Sequence, residues 1–299
     1  MEKNYAIISE MNGDFTVDLI KQDDLIVLPM RFMINGKEYL HYADEREMKT
    51  HDFYEKVKAS KELPHTSAAN ETDYVNLAEP ILKEGRDVLI IAFDSALSAC
   101  ANNAKAAATH LQEKYPDRKI IAIDSLAASM GEALYTHYAA MNRAKGMSIE
   151  ENAQWLEDNK LRFCHLFTVQ DLYHLKKGGR LSAASALLGT LLAVKPLLHV
   201  SRAGKLVPYK KSRGRKGALK QIVEDTLKYI DPNEPNQEIF ISHGDCLEDA
   251  LLVQEELKER LGGNHKFTMG YIGPVIGTHS GQGTLAVYFL GTDRLVNEN

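Results

Sequence analysis

Between Met269 and Gly291 the chain reads MGYIGPVIGTHSGQGTLAVYFLG, and the polar residues Thr278, His279, Ser280 and Gln282 stand there among closely spaced glycines. A histidine beside hydroxyls can accept and donate hydrogen bonds or act as a general base. Base catalysis needs an oriented partner, and no neighbouring residue supplies one. The segment Thr278-His279-Ser280-Gly281-Gln282 lacks the flanking glycines of a nucleophile elbow. Gly281, Gly283 and Ala286 spell part of a dinucleotide fingerprint, but too near the C-terminus to open a βαβ unit. Two readings stay open from these residues: a ligand site, or a glycine-rich hairpin with a satisfied histidine.

Other hydroxyls recur just after apolar runs: Thr66 and Ser67, Ser95 and Ser98, Ser125 and Ser129. Each alone reads as a helix cap. Three such loops together predict a shared pocket at the carboxyl ends of parallel strands. A basic run, Lys210 to Lys216, offers Arg213 and Arg215, either of which could face an anionic group. Asp94 stands one residue before Ser95 and is expected to turn away and cap the following helix.

The elements that must position these residues follow from pattern. Val88–Phe93 (VLIIAF) and Lys119–Ile123 read as buried parallel strands, each followed by a polar loop and a helix, Ala99–Lys114 and Met130–Ala144. Before them come a strand at Tyr5–Ile8, a short helix at Phe15–Ile20, and a strand region Leu25–Ile34. That region turns at Asn35-Gly36 into a return strand. Helices are expected at Glu45–Lys58 and Glu71–Lys83, the second capped by Thr66 or Ser67. Beyond the helix Ile149–Asn159, Arg162–Val169 opens a second region with a short helix at Asp171–Leu175. The apolar stretch Leu181–Leu198 reads as a buried helix. A hairpin turns at Arg202–Lys205, and the basic run leads into a helix, Ala218–Tyr229. Strand Glu238–Ser242 and helix Leu247–Leu261 follow. Pro274–Ile276 and Leu285–Leu290 read as two closing strands around the polar cluster. The expected class is α/β with two domains, 1–160 with a mainly parallel sheet and 161–299 with a mixed sheet.

Composition narrows the function. The 299 residues carry a net charge of -5, so neither nucleic acid nor an anionic membrane surface is an expected partner. The three cysteines, Cys100, Cys164 and Cys246, are scattered, which fits a reducing, cytoplasmic compartment without a disulfide framework. No spacing suits a metal site, no signal peptide opens the chain, and no apolar run reaches the ~20 residues of a membrane span.

Three segments together resemble the DegV family: Leu175-Lys176-Lys177-Gly178-Gly179-Arg180-Leu181-Ser182, Val194-Lys195-Pro196-Leu197-Leu198, and Ile272 to Thr284. Pro64-His65-Thr66-Ser67, Leu97-Ser98 and Asp124-Ser125 precede them in the family's order, so the resemblance spans nearly the whole chain. It implies two α/β domains with a long-chain fatty acid in a tunnel between them. It also implies a non-catalytic role, in which some members present the fatty acid carboxyl to a separate fatty acid kinase subunit. Carried over, Thr66, a serine of the Ser95/Ser98 loop and His279 hold the carboxylate, with Arg213 or Arg215 nearby. No cofactor beyond the bound lipid is implied. Burying roughly 14 methylenes supplies about 11 kcal/mol of gross transfer energy, and the tunnel walls are expected from Leu187–Val194 and the Ala99–Ala108 helix. Lys176, Lys177 and Arg180 are expected to help dock the kinase. The rival readings are a sensor or carrier of another apolar molecule, and a hydrolase using Ser98 or Ser280 with His279. Three stretches depart from the family pattern: Ser9-Glu10 for Asp-Ser, Ala68-Ala69 for Gln-Pro, and the loop Asp94 to Cys100, Asp-Ser-Ala-Leu-Ser-Ala-Cys for Ser-Ser-x-Leu-Ser-Gly-Thr.

Overall fold

The computed structural model describes residues 5–60, 62–170, 172–181, 194–262 and 264–294. The chain opens with β1 (Tyr5–Glu10), a single 3-10 turn (Met11–Gly13) and α1 (Val17–Asp23). It continues through β2 (Leu25–Leu28), β3 (Met30–Ile34), β4 (Lys37–His41), α2 (Thr50–Ala59), β5 (His65–Thr66) and α3 (Glu71–Lys83). Next come β6 (Asp87–Ala92), α4 (Cys100–Lys114), β7 (Ile120–Asp124), α5 (Met130–Ala144) and α6 (Ile149–Asn159). Then follow β8 (Phe163–Thr168), α7 (Tyr173–Lys177), β9 (Val194–Val200), β10 (Leu206–Arg213) and α8 (Gly214–Tyr229). The last elements are β11 (Glu238–His243), α9 (Leu247–Leu261), β12 (Lys266–Tyr271), α10 (Pro274–Ser280) and β13 (Leu285–Leu290).

Local chemistry accounts for many boundaries. Thr16 caps α1 by accepting from the Leu19 N–H. Asn70 with Asp73 and Ser148 with Glu151 form capping boxes at the starts of α3 and α6. Asn35 and Gly36 both take positive φ, 52° and 74°, the geometry of a tight two-residue hairpin.

The elements assemble into a parallel four-stranded sheet, order β2-β1-β6-β7, and a mixed six-stranded sheet, order β10-β9-β8-β13-β11-β12. A small antiparallel sheet, order β4-β3-β5, stands beside them. The four-stranded sheet comes from residues before α6 and the six-stranded sheet from residues after it. Helix α5 touches β1 on one side and β8, β11 and β13 on the other, so one apolar core runs through both halves. The turn after β1 and the loops after β6 and β7 meet at the carboxyl edge of the parallel sheet, where α/β folds place ligands.

The structure corrects several expectations. Pro274–Ile276 is the start of helix α10, not a strand. Proline suits the first helical position, and a short apolar run carries no period of its own. The strand expected there is instead β12, parallel to β11. Residues 194–198, expected to end a helix, lie in β9, and residues 182–193 of that stretch lie outside the described residues. The basic run is strand as far as Arg213. Helix α2 starts at Thr50 rather than Glu45, whose φ is 54°, and α3 is capped by Asn70 rather than Thr66 or Ser67. Among the described residues no helix is long and apolar enough to cross a membrane.

Candidate functional site

A cavity of about 290 Å³ lies where the two large sheets and the small sheet converge. Met30, Phe93, Phe167, Val200, Leu206 and Ile276 supply much of its apolar wall. Thr66, Ser98, Arg180, His279 and Ser280 bring polar groups to the same wall. A polar recess of about 640 Å³ adjoins it and shares Thr66, Arg180 and His279, adding Lys177, Tyr173 and Glu62. These three shared residues stand at the boundary between a greasy interior and an open polar vestibule.

Each is placed by its element. Pairing of Thr66 with Phe32 pins β5 to the small sheet. His279 occupies the last turn of α10, and Thr66 Oγ1 meets its Nε2 at 2.8 Å across 213 residues of sequence. Burial, with a smaller push from the Arg180 and His174 charges, lowers the His279 pKa to about 4. The imidazole is therefore neutral near pH 7 and carries one proton. With that proton on Nε2, His279 donates to Thr66 and frees the threonine O–H to donate to a ligand. His279 Nδ1 has no hydrogen-bond partner among the described residues. It lies so close to Gly178 that an added Cβ there would stand 2.6 Å away, which explains glycine at that position.

Arg180 leaves the glycine turn and enters the wall, its Nε donating to the Leu97 carbonyl at 3.1 Å and its terminal nitrogen to the Gly178 carbonyl. It was expected on a docking face with Lys176 and Lys177. It lines both the cavity and the recess, the latter together with Lys177. Arg213 ends β10 on the exposed surface and does not line the cavity, and Arg215 is held by Asp249 at 2.8 Å. The lone GGR segment was the sequence signal for this arginine, masked by the louder basic run.

The serines separate. Ser98 lines the cavity and its Oγ contacts Cys100 Sγ at 3.2 Å. Ser280 lines it too, with a buried Oγ that has no partner among the described residues. Ser95 is exposed, outside the lining, with its N–H on Asp124 Oδ1. Ser125 is buried but spends its hydroxyl on Ala127. Thr278 donates back to the Pro274 carbonyl at 2.8 Å and faces the outer recess. Neither Ser98 nor Ser280 hydrogen-bonds His279. Of the expected tunnel walls, only Ala99 of the α4 segment lines the cavity, and residues 187–193 lie outside the described residues.

Asp94 is buried, accepts from the Ala96 N–H at 2.8 Å, and is not part of the lining. Gly204 of the β9–β10 turn presses on its carboxyl, where a Cβ would come within 2.3 Å. Burial pushes its pKa up to about 7. The carboxyl thus faces the turn and not the cavity, and it does not cap α4, which begins at Cys100 without a side-chain cap.

Two further carboxyls lie behind the wall. Glu10 accepts from the Phe93 N–H and the Tyr74 hydroxyl, both at 2.9 Å, while Glu132 accepts from the Ser9 hydroxyl at 3.1 Å. Burial raises Glu10 to about 7, and burial with the Glu10 charge raises Glu132 further above its usual range.

A family profile described as "Uncharacterised protein, DegV family" matches residues 4–292. A DegV domain-containing protein of Clostridium perfringens is 40% identical over 290 residues, covering 97% of this chain and 98% of that one. A solved Bacillus subtilis structure, described as DegV, a fatty acid binding protein, is 30% identical with a TM-score of 0.83. It covers 96% of this chain and 99% of that one. The B3 protein of Streptococcus pneumoniae fatty acid kinase, loaded with linoleic acid, shares the fold at 19% identity. Its TM-score is 0.81, with 96% of this chain and 99% of that chain covered.

Proposed function

The chain belongs to the DegV family, and from that premise we propose that it binds one long-chain fatty acid and holds the carboxylate at Thr66, His279 and Arg180. The observation that carries this is the Thr66–His279 pair at the boundary of an apolar cavity. A fatty acid needs a dry wall for its chain and a few donors for its head. Neutral donors with one arginine satisfy an anion by charge-assisted hydrogen bonds. The B. subtilis and S. pneumoniae proteins, described with fatty acids, support the same ligand class. The proposed role is binding: His279 Nε2 meets Thr66 Oγ1 and Ser98 Oγ contacts Cys100 Sγ, an arrangement suited to a head group. The vestibule leaves the carboxylate reachable, so a separate kinase subunit is the proposed recipient, and Lys177 on its rim is a contact for it. Three unbridged cysteines fit a cytoplasmic setting.

Mass spectrometry of lipid extracted from the purified protein is expected to find a C16–C18 fatty acid at one per chain. Recovery of none, together with no binding of added palmitate, would overturn the reading. Arg180→Ala is expected to weaken palmitate about tenfold and to leave hexadecanol, which has no carboxylate, little changed. Equal loss for both ligands would assign Arg180 to packing alone.

A further inference from the structure

The cavity wall carries a polar group that a plain fatty acid does not use. The turn after β1 places Asn12 in the lining, 3% exposed. Its Nδ2 reaches Cys100 Sγ at 3.6 Å and lies against the Glu10 carboxyl. With the nitrogen toward these two groups, the amide oxygen is the atom that faces away from them. Asn12 Oδ1 is buried and has no hydrogen-bond partner among the described residues. Ser280 Oγ, beside His279, is likewise without a partner among the described residues, whereas two other hydroxyls on this wall are committed. Ser129 is tied to Asp14 and Ser242, and Tyr288 to Ser242 at 2.9 Å. Ser98 contacts the same cysteine sulfur as Asn12, so Asn12 stands one step in from the Ser98 hydroxyl.

An alkyl chain leaves this acceptor unpaired, and buried acceptors are rarely left so. A hydroxyl on the chain would donate to it. A double bond or a keto oxygen has no hydrogen to give, and an ammonium would need a paired anion at the wall. We propose that the cavity selects an acyl chain bearing a hydroxyl group on its carboxyl-proximal half, recognised by Asn12 Oδ1. This rests on the fatty acid reading above and names the ligand class within it. Glu10 and Cys100, two of the positions where the chain departs from the family pattern, are the groups that the amide nitrogen meets.

The test titrates the delipidated full-length protein with palmitate and with 3-, 6- and 16-hydroxypalmitate. At least one of the two proximally hydroxylated acids is expected to bind about tenfold tighter than palmitate, the factor set by pairing one buried acceptor. The 16-hydroxy acid is expected to show no gain. Asn12→Leu is expected to bring palmitate and the preferred hydroxy acid to equal affinity. Asn12→Ala, which adds no bulk, repeats the comparison should the leucine variant fail to fold. Palmitate binding as tightly as both proximal hydroxy acids overturns the proposal, as does a preference that survives both variants. Failure of all four acids to bind the parent protein would overturn the fatty acid reading itself, a different outcome from equal binding.

Discussion

His279→Ala is expected to weaken palmitate binding by about tenfold to a hundredfold, and Thr66→Val by a similar factor. A hydrogen bond to a charged group contributes about 1.5–3 kcal/mol, and each 1.4 kcal/mol is tenfold in affinity. The two losses are expected not to add. With the neutral imidazole's proton on Nε2, His279 donates to Thr66 Oγ1 at 2.8 Å, which leaves the threonine hydrogen for the carboxylate. Removing either member breaks the same chain of donors, so the double variant should bind no more than about threefold worse than the weaker single variant. Titration of all four proteins with palmitate gives the coupling. Fully additive losses would mean that each residue meets the carboxylate independently, and an unchanged His279→Ala would place the head group elsewhere. Because burial holds the free histidine near 4, its part in affinity should stay flat between about pH 6 and 8. A histidine that had to be protonated to bind would instead lose affinity over that interval.

The second large effect concerns how the two halves are held together. His137 of α5 is 2% exposed, with Nδ1 on Asp23 Oδ2 at 2.7 Å and Nε2 at 3.4 Å from Glu238 Oε1. The second contact is an ion-pair distance without a hydrogen bond, so the Asp23 bond is the firmer one. Asp23 ends α1 beside the parallel sheet, and Glu238 begins β11 in the mixed sheet. Burial opposes the charge on His137, but the Asp23 and Glu238 carboxylates outweigh it and the pKa rises to about 9. Raised above its unfolded value near 6.5, the imidazolium stabilises the fold fully below that pH. The stabilisation falls as pH climbs and is lost through about 9. The contribution at low pH is roughly 3 kcal/mol. His137→Ala leaves two carboxylates facing a buried gap, and the expected cost at pH 6 is about 3–5 kcal/mol. Urea unfolding from pH 5 to 10 should show the parent losing stability between about 6.5 and 9 and the variant lacking that slope. A parallel pair of curves would show that the imidazole is neutral in the fold.

Two of the residues assigned to the head group, Thr66 and His279, were visible in the sequence because hydroxyls after apolar runs and a histidine among glycines are uncommon company. Their direct bond was not visible. They are 213 residues apart, and only the pairing of β5 with β3 and the docking of α10 beside it brings them together. Arg180 shows the same limit from the other side. A run of cations drew attention to Arg213, but a side chain's direction depends on the turn it leaves, and the glycine turn after α7 aims Arg180 inward.

Sequence alone determined the alternating strands and helices of the first half, the Asn35-Gly36 hairpin and many helix ends. Each of these is written in side chains a few residues apart. Tertiary structure decided that Pro274–Ser280 is a helix, that residues 194–200 are a strand, and which hydroxyls face a common cavity. Short apolar segments satisfy either backbone pattern equally well, so the neighbouring strand or helix that buries them makes the choice. A loop side chain has no periodicity at all, and its partners are set by how distant crossovers stack two sheets around one helix.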